Sequence, residues 1–457
     1  MAATAGEPAY APPPVIRQGE TLRTITDTVA DVVLVRAAGR AWWIAFGVSS
    51  AFVLLLVIAL VALFTAGIGI WGIDWPVVWG FAIVNYVWWI AIASGGTLVS
   101  AIFYLTGSEW RTAITRLAET MTLCGIACAG IYPIIHLGRP YYFYWLFPYP
   151  NTMGLWPQFR SPLLWDFFAI LTYVIASVLF WYFGLVPDLA TMRDRAEHRA
   201  GRIIYGVLAL GWRGSAGQWR HYKAAYGLLA GLMTPLVISV HSIVGLDFAA
   251  GLSPGWHSTQ FPPFFVFGAL LSGIATVLVL TIAVRALYGL QALITGRHLD
   301  ALAKVMLASS VAIGYAYLME VFSTFYGLKA AERTLAIYRM FGPYAAAYWA
   351  TILCNVALPQ LLWWRRLRRS APALVAIALA VIVGMWFERY VIVVISLNRP
   401  ILPSAWGSFV PTFWDIATLL GTIGFFVWTI LLLLRLIPAI SMSELRVLVD
   451  RMKGEAG

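Results

Sequence analysis

Ten apolar segments, each long enough to cross a bilayer, constrain the fold of this chain more than any other feature. A hydrocarbon core of about 30 Å needs about 20 consecutive apolar residues in a helix. The segments lie at 41–67, 78–105, 113–136, 163–186, 223–246, 263–289, 301–326, 342–364, 371–397 and 411–437. Because backbone groups in lipid must find hydrogen-bond partners within the protein, the pattern predicts an all-α polytopic membrane protein with ten transmembrane helices.

The composition agrees with a membrane protein. Of 457 residues, 61% are hydrophobic and 11% are charged, whereas about 25% of residues are charged in a soluble domain. The polar ends predict an N-terminal segment at 1–40 and a C-terminal tail at 438–457, on either side of a membrane domain at 41–437. We expect no cleavable signal peptide in the first segment and a short interfacial helix near 203–212.

The basic residues predict the orientation of the chain in the membrane. A net charge of +11 would suggest nucleic acid binding in a soluble protein, but here we expect no nucleic acid partner. Twenty-four Lys and Arg residues flank one end of the spans, six flank the other, and Arg389 lies within a span. By the positive-inside rule, both termini are predicted to be cytoplasmic, in a multi-pass protein of the bacterial cytoplasmic membrane.

A histidine and an aspartate at the outer membrane face form the first candidate site. His136 ends the third apolar segment and Asp166 begins the fourth, with an aromatic loop at 137–161 between them. Ionisable groups at membrane depth are costly and usually functional. An imidazole can titrate near neutral pH and a carboxylate can orient it or accept its proton, so the pair suits proton-coupled chemistry.

Most other ionisable residues within the spans fall in the outer half of the membrane. They are His241, Asp247, Glu320, Glu388, Arg389 and Asp415. Glu119, in the third segment, lies nearer the cytoplasm and is the exception. Polar groups with scattered structural roles should show no such bias towards one face.

Structural roles remain open for these residues. Arg389 could neutralise Glu320 or Glu388 as an interhelical ion pair. His241 could be a core histidine bonded to a carbonyl group, and Asp247 could cap a helix or lie in a solvated loop.

The outer-face residues could bind a quinol headgroup, whose two hydroxyls each need a partner that takes a proton as electrons leave. The run Tyr141–Trp145 could form an apolar rim, and Gly95 with Gly96 would allow close helix packing or leave space for a ligand. The only cysteines are Cys124, Cys128 and Cys354. They are too few for an iron–sulfur ligand set, which needs about four thiolates.

Electrons from a quinol would therefore have to leave the chain. The sequence has no GxGxxG nucleotide motif, and its histidines cannot supply four axial ligands for two haems in facing spans. We expect no haem and no iron–sulfur cluster in this chain, and we expect a partner subunit to accept the electrons.

Four stretches carry a resemblance to a known family. They are IYPIIHLGRP at 131–140, SPLLWD at 161–166, SVHSIVGLDFA at 239–249 and YLMEVFSTFYG at 317–327. In these, the chain resembles the NrfD/PsrC family of quinol-interacting membrane subunits. More narrowly, it resembles the ActC-type subunit of bacterial alternative complex III, over about residues 40 to 440.

The resemblance implies an architecture and a set of partners. It implies two side-by-side four-helix bundles, at 78–246 and 263–397, with flanking helices. A menaquinol site would lie in the first bundle, below a periplasmic iron–sulfur subunit, with haem c subunits and a homologous NrfD-like membrane subunit in the same complex. Electron transport would serve a respiratory or photosynthetic chain.

The resemblance also assigns roles to residues. His136 and Asp166 would deprotonate the quinol, with Asp247, Arg139 and Tyr142 completing its binding site. A candidate proton route would use the residues His241, Glu320, Arg389 and Glu119. Two other functions remain open: an ion or solute transporter, and a non-catalytic anchor subunit of the same kind of complex.

Overall fold

The computed structural model describes residues 14–146, 154, 158–327 and 329–454. Within these ranges the regular structure is helical, apart from one isolated β-bridge between Asp74 and Val77. Ten helices are long and apolar enough to cross a membrane. In chain order, α1 to α10, they are Arg40–Ala66, Phe81–Leu105, Thr115–Ile135, Pro162–Arg195, Ala216–Ala249, Phe261–Leu287, Gly296–Tyr326, Ala345–Trp363, Ala371–Ile395 and Phe413–Leu436.

The ten predicted spans are confirmed, with the largest differences in α4 and α5. The sequence predicts 163–186 and 223–246, whereas the helices run over Pro162–Arg195 and Ala216–Ala249. Hydropathy detects only the part of a helix that lies in lipid. Backbone hydrogen bonding continues into the polar flanks. Helix α4 therefore ends later than the sequence predicts, and α5 begins earlier.

Helix α2 lies at the centre of the molecule, and its residues from Phe81 to Ala101 are nearly all buried. It packs against α3, α5 and α6, while α6 also packs against α5, α7 and α9. Helices α4 and α5 pack together, and α1 packs along α10. The helices of the two predicted bundles are therefore joined through α2 and α6; the bundle boundaries themselves stay a prediction.

Glycines bring α2 and α6 into backbone contact. A Cβ atom on Gly95 would lie 2.2 Å from the carbonyl oxygen of Ala269 and 2.5 Å from the Cα of Gly273. On the other side of α2, a Cβ on Gly96 would lie 2.7 Å from the carbonyl oxygen of Ala118. The paired glycines therefore serve close packing, because neighbouring backbone occupies the space that a ligand would need.

Four amphipathic helices lie outside the spans, namely Leu22–Leu34, Arg199–Leu208, Ala330–Phe341 and Met442–Gly454. The second lies close to the interfacial helix predicted at 203–212. The first and the last pack on each other, and Arg446 Nε donates to Thr26 Oγ1 at 2.9 Å. Both ends of the described chain therefore meet at one end of the molecule. We call it the basic end, and we call the end where α4 begins the Asp166 end.

Candidate functional site

Asp166 is a buried acid on the inner face of α4. It shares that face with Tyr173, Ser177 and Phe180, at helical intervals of seven, four and three residues, and all four are buried. Its carboxyl Oδ2 accepts a hydrogen bond of 2.6 Å from the hydroxyl of Tyr86 on α2. This contact ties the first turns of α4 to the start of α2.

Two carboxyl oxygens at the Asp166 end lack partners. Asp247, near the end of α5, lies within electrostatic range of Asp166 and Tyr86. Oδ1 of Asp166 and Oδ1 of Asp247 are both buried without a hydrogen bond from another described group. A buried polar atom without a partner costs free energy, about 1–3 kcal/mol per group. Two buried oxygens without partners at the same end of the molecule suit a site that receives hydrogen-bond donors from a ligand.

His136 lies directly after α3 at the same end and is partly buried. Its ring contacts Trp79 edge to face, with centroids 6.4 Å apart, and Trp79 stacks on Trp256 at 5.6 Å. Burial lowers the pKa of His136 below its usual value of 6.5, because desolvation disfavours the charged imidazolium. Burial therefore favours the neutral imidazole, in which one ring nitrogen carries no proton.

His136 and Asp166 form no hydrogen bond or ion pair with each other in the described part of the chain. The carboxyl group that the sequence pairs with His136 has Tyr86 as its partner instead. The two predicted residues thus lie at one end of the bundle, His136 just after α3 and Asp166 on α4, with an aromatic cluster beside the histidine.

Arg139 and Tyr142 lie outside this buried group. Both are exposed, and with Leu137, Gly138 and Trp145 they line a surface groove of about 610 Å³. The residues of the predicted aromatic rim lie in two short 3-10 turns within Pro140–Leu146, which meet at a kink at Tyr142. Residues 147–153, in the same predicted loop, lie outside the described residues.

A second buried polar cluster joins α5 to α9. His241 on α5 is buried with no partner for either ring nitrogen among the described residues, and it interacts electrostatically with Arg389 on α9. The Arg389 guanidinium lies 3.0 Å from Glu388 Oε1 and 4.1 Å from the ring centre of Phe265. The angle to Glu388 is not that of a hydrogen bond, so the donors of Arg389 stay unsatisfied despite the close charges.

The same cluster continues through α7 and α8. Tyr317 donates a hydrogen bond to Glu388 Oε2, and the Asn355 side-chain amide donates to the Tyr317 hydroxyl at 3.0 Å. Asn355 lies in a π-helical turn over Leu353–Ala357, and a second π turn follows Arg389 over Val391–Ile395. Such turns are rare and frequent at functional sites.

Glu320 lies within electrostatic range of Glu388, but its direct partner is not Arg389. It is paired with Arg339, whose Nη1 lies 2.8 Å from Glu320 Oε1, and Arg339 Nη2 donates to Ser396 Oγ at 2.7 Å. The sequence leaves Glu320 and Glu388 open as ion-pair partners of Arg389. In the structure, the acid beside Arg389 is Glu388. The Glu320 pair instead fastens the amphipathic helix Ala330–Phe341 to the Asp166 end of the molecule.

Glu119 lies near the basic end, and both oxygens of its carboxyl group accept hydrogen bonds. It accepts hydrogen bonds from Arg116 at 2.8 Å, Ser100 at 2.8 Å and Tyr226 at 2.6 Å. Arg116 also lies 3.5 Å from Asp188. A buried acid with three donors and a paired cation fits a structural link between α3, α4 and α5.

Sequence analysis missed Tyr86 and Trp79, which contact Asp166 and His136 respectively. An aromatic residue at a span end is ordinary in membrane proteins, because rings favour the interface. These two residues reach the site only because α2 packs against α4 and α3. No local sequence motif predicts these contacts.

Comparison with known proteins gives a family and two relatives. Residues 70–400 match the family described as Polysulphide reductase, NrfD. A membrane subunit of a putative dimethyl sulfoxide reductase from Halobacterium salinarum is 29% identical over 205 residues, which is 45% of this chain and 43% of that protein. A selenate reductase subunit from Mesobacillus selenatarsenatis is 25% identical over 213 residues, 44% of this chain and 47% of that protein. The chain thus matches less than half the length of each relative.

Proposed function

The chain belongs to the NrfD family, and on that premise we propose that it is the quinol-oxidising membrane subunit of a multi-subunit redox complex. Menaquinol would bind at the Asp166 end, and its electrons would pass to an iron–sulfur cluster on a partner subunit. Both relatives are named as subunits of reductases, which supports a role in such a complex.

The unpartnered Oδ1 of Asp166 is the observation that carries this proposal, and Asp247 would help to bind the quinol through its own unpartnered Oδ1. A quinol has two hydroxyl groups, each a hydrogen-bond donor, and becomes a quinone on losing two electrons and two protons. One hydroxyl would donate to Asp166 Oδ1, which could take its proton as electrons leave. Tyr86 would hold the carboxyl group in place through Oδ2.

His136 supplies a second acceptor for the other quinol proton. Its lowered pKa favours the neutral imidazole, which has one unprotonated ring nitrogen to receive the proton. Trp79 and Trp256 beside it offer an apolar wall of the kind that a naphthoquinone ring would stack on. Arg139 and Tyr142, on the outer groove, would lie at the entrance to the site.

The proposed orientation in the membrane rests on the distribution of basic residues, and the proposed partner subunits rest on the resemblance to the ActC type. The excess of basic residues at the opposite end supports an Asp166 end that faces the periplasm of a bacterial inner membrane. The iron–sulfur subunit would dock there, with haem c subunits and a second NrfD-like membrane subunit in the complex.

A proton route would run through the second polar cluster rather than through all the predicted residues. His241, Arg389 and Glu388 have unsatisfied buried atoms, which could bind a chain of water molecules. Glu119 and Glu320 each sit in a hydrogen-bonded ion pair, which supports structural roles for both.

Photo-crosslinking tests the position of the site. A photoreactive naphthoquinone should label peptides from the Asp166 ends of α2, α4 and α5 in the purified complex, and excess unlabelled quinone should suppress this labelling. Crosslinks confined to the basic end, or labelling that quinone does not suppress, would refute the assignment.

A further inference from the structure

The amphipathic helix Ala330–Phe341 holds the loop at 250–260, which joins α5 to α6. Glu332 Oε2, in the first turn of the helix, accepts a hydrogen bond of 2.7 Å from the backbone N–H of Gly255. Arg339 packs so closely on the same glycine that a Cβ atom there would lie 2.5 Å from Nη2 of Arg339. Gly255 has a φ of +76°, which glycine adopts readily. The helix therefore contacts this loop at two points, about two helical turns apart.

The residue that follows Gly255 is Trp256, which belongs to the aromatic wall beside His136. Its ring stacks on Trp79 at 5.6 Å and contacts Phe248 edge to face at 5.0 Å. Trp79 in turn contacts the ring of His136. The position of the loop therefore decides where this wall stands relative to the histidine.

A chain of hydrogen bonds also connects the helix to the indole of Trp256. Arg339 Nη2 donates to Ser396 Oγ at 2.7 Å, and the Ser396 hydroxyl donates to the carbonyl oxygen of Ile392 at 2.6 Å. Trp256 Nε1 donates to that same oxygen, also at 2.6 Å. Ile392 lies in the π turn over Val391–Ile395. The three side chains are buried, so the loss of one of these bonds leaves a polar atom without a partner.

We propose that Glu332 and Arg339 are positioning residues of the quinol site, which hold Trp256 and so set the aromatic wall on which the quinol ring stacks. This role rests on the proposed function, in which that ring lies against Trp79 and Trp256. The ion pair between Arg339 and Glu320 would suffice to fasten the helix to α7. It does not require contacts from two turns of the helix to converge on the loop that carries Trp256.

Two measurements on the assembled complex test this role. They are steady-state oxidation of menaquinol, and hydrogen exchange of peptides from the loop at 250–260 without quinol. Glu332→Ala removes the hydrogen bond to Gly255 from a partly exposed position. Arg333→Ala, the matched control, removes a neighbouring charged side chain that forms no hydrogen bond or ion pair with the loop, whose residues are all described. Glu332→Gln keeps an oxygen that can accept from Gly255.

Ser396→Ala tests the contact made through Arg339. It removes the hydroxyl that joins the guanidinium to the Ile392 carbonyl. Ser310→Ala is its control, because Ser310 is also buried and its hydroxyl donates at 2.6 Å to a carbonyl in the other π turn, that of Asn355. Thermal unfolding in detergent checks that both variants fold.

We expect Glu332→Ala and Ser396→Ala to speed hydrogen exchange of the loop and to raise KM for menaquinol about fivefold, the effect of one weakened aromatic contact. Their kcat should stay within about twofold of wild type, because ring stacking holds substrate and transition state alike. Glu332→Gln, Arg333→Ala and Ser310→Ala should keep the wild-type KM.

Faster loop exchange with an unchanged KM in Glu332→Ala would overturn the positioning role. Unchanged loop exchange in that variant, or an equal rise of KM in Arg333→Ala, would overturn it as well. A wild-type complex that does not oxidise menaquinol would refute the proposed function and the positioning role with it. That result is distinct from normal turnover whose KM does not respond to Glu332→Ala.

Discussion

At the scale of single residues, the candidate quinol site is marked by buried carboxyl oxygens that receive no hydrogen bond from the described residues. The sequence predicts that His136 and Asp166 lie at the same end of the spans, because one loop joins them, and it pairs them with each other. The structure gives Asp166 a different partner, Tyr86. Contacts between residues 80 positions apart depend on helix packing, and no pattern within one span encodes them.

Replacing Tyr86 by Phe should weaken the site without changing its shape. The Asp166 carboxyl would lose the hydrogen bond that Tyr86 donates, and the loss of a bond to such a group costs about 1.5–3 kcal/mol. We expect quinol oxidation by the assembled complex to fall by about tenfold or more. Tyr326→Phe, at an exposed tyrosine of the same end, is the control and should keep wild-type turnover. Equal rates in the two variants would contradict the role of Tyr86.

The lowered pKa of His136 predicts a pH dependence. The neutral imidazole accepts the proton, so activity is present above its pKa and is lost as pH falls through it. Because burial lowers that pKa from the usual 6.5, the acid limb of turnover should have its midpoint below pH 6.5. His136→Gln should lower turnover and remove this acid limb. His257→Gln, at an exposed histidine, should preserve it; an unchanged limb in His136→Gln would assign it to another group.

At the scale of helices, hydropathy predicts well that a transmembrane helix exists and where it lies. It predicts irregular turns within a helix poorly. The spans follow from apolar runs, but the π turns at Leu353–Ala357 and Val391–Ile395 lie inside ordinary apolar sequence. The amphipathic helix Ala330–Phe341 was not predicted, because its exposed face is polar and only Leu335 and Arg339 of it are buried. Its anchor is the ion pair between Arg339, which is buried, and Glu320, which is partly exposed, and a sequence cannot place such a contact.

The contact between α2 and α6 predicts the effect of a single methyl group. Gly95→Ala would bring a Cβ to within 2.2 Å of a backbone oxygen of α6, and overpacking of this kind costs about 1–3 kcal/mol. We expect a lower unfolding temperature of the purified protein in detergent. Gly130→Ala, in α3, adds the same atom where nothing lies within 4 Å and should be neutral. If both variants unfolded at the same temperature, the close packing of α2 on α6 would be in doubt.

At the scale of the whole molecule, the sequence predicts fold class and family, and both are confirmed by the ten helices and the family match. Length and apolar composition suffice for this fold class, since lipid permits few folds. The finer assignments to the ActC type, to menaquinol and to particular partners stay predictions. They depend on surfaces that other subunits would cover.

Orientation in the membrane can be measured directly. In a background that lacks Cys354, a cysteine introduced at Leu252, an 83% exposed residue at the Asp166 end, should react with a membrane-impermeant maleimide in cells with a permeabilised outer membrane. A cysteine at Arg213, exposed at the basic end, should react only after lysis. The reverse pattern would place the Asp166 end in the cytoplasm and contradict the charge count.

The most direct test of the central claim is the turnover of Asp166→Asn in the assembled complex, with menaquinol as donor and reduction of the partner's iron–sulfur cluster as readout. The amide keeps the shape of the side chain but cannot take up the quinol proton, so we predict a rate lower by about 100-fold or more. Asp74→Asn, at an exposed aspartate of the same end, should keep the wild-type rate. Wild-type turnover in Asp166→Asn would contradict a quinol site at this carboxyl group.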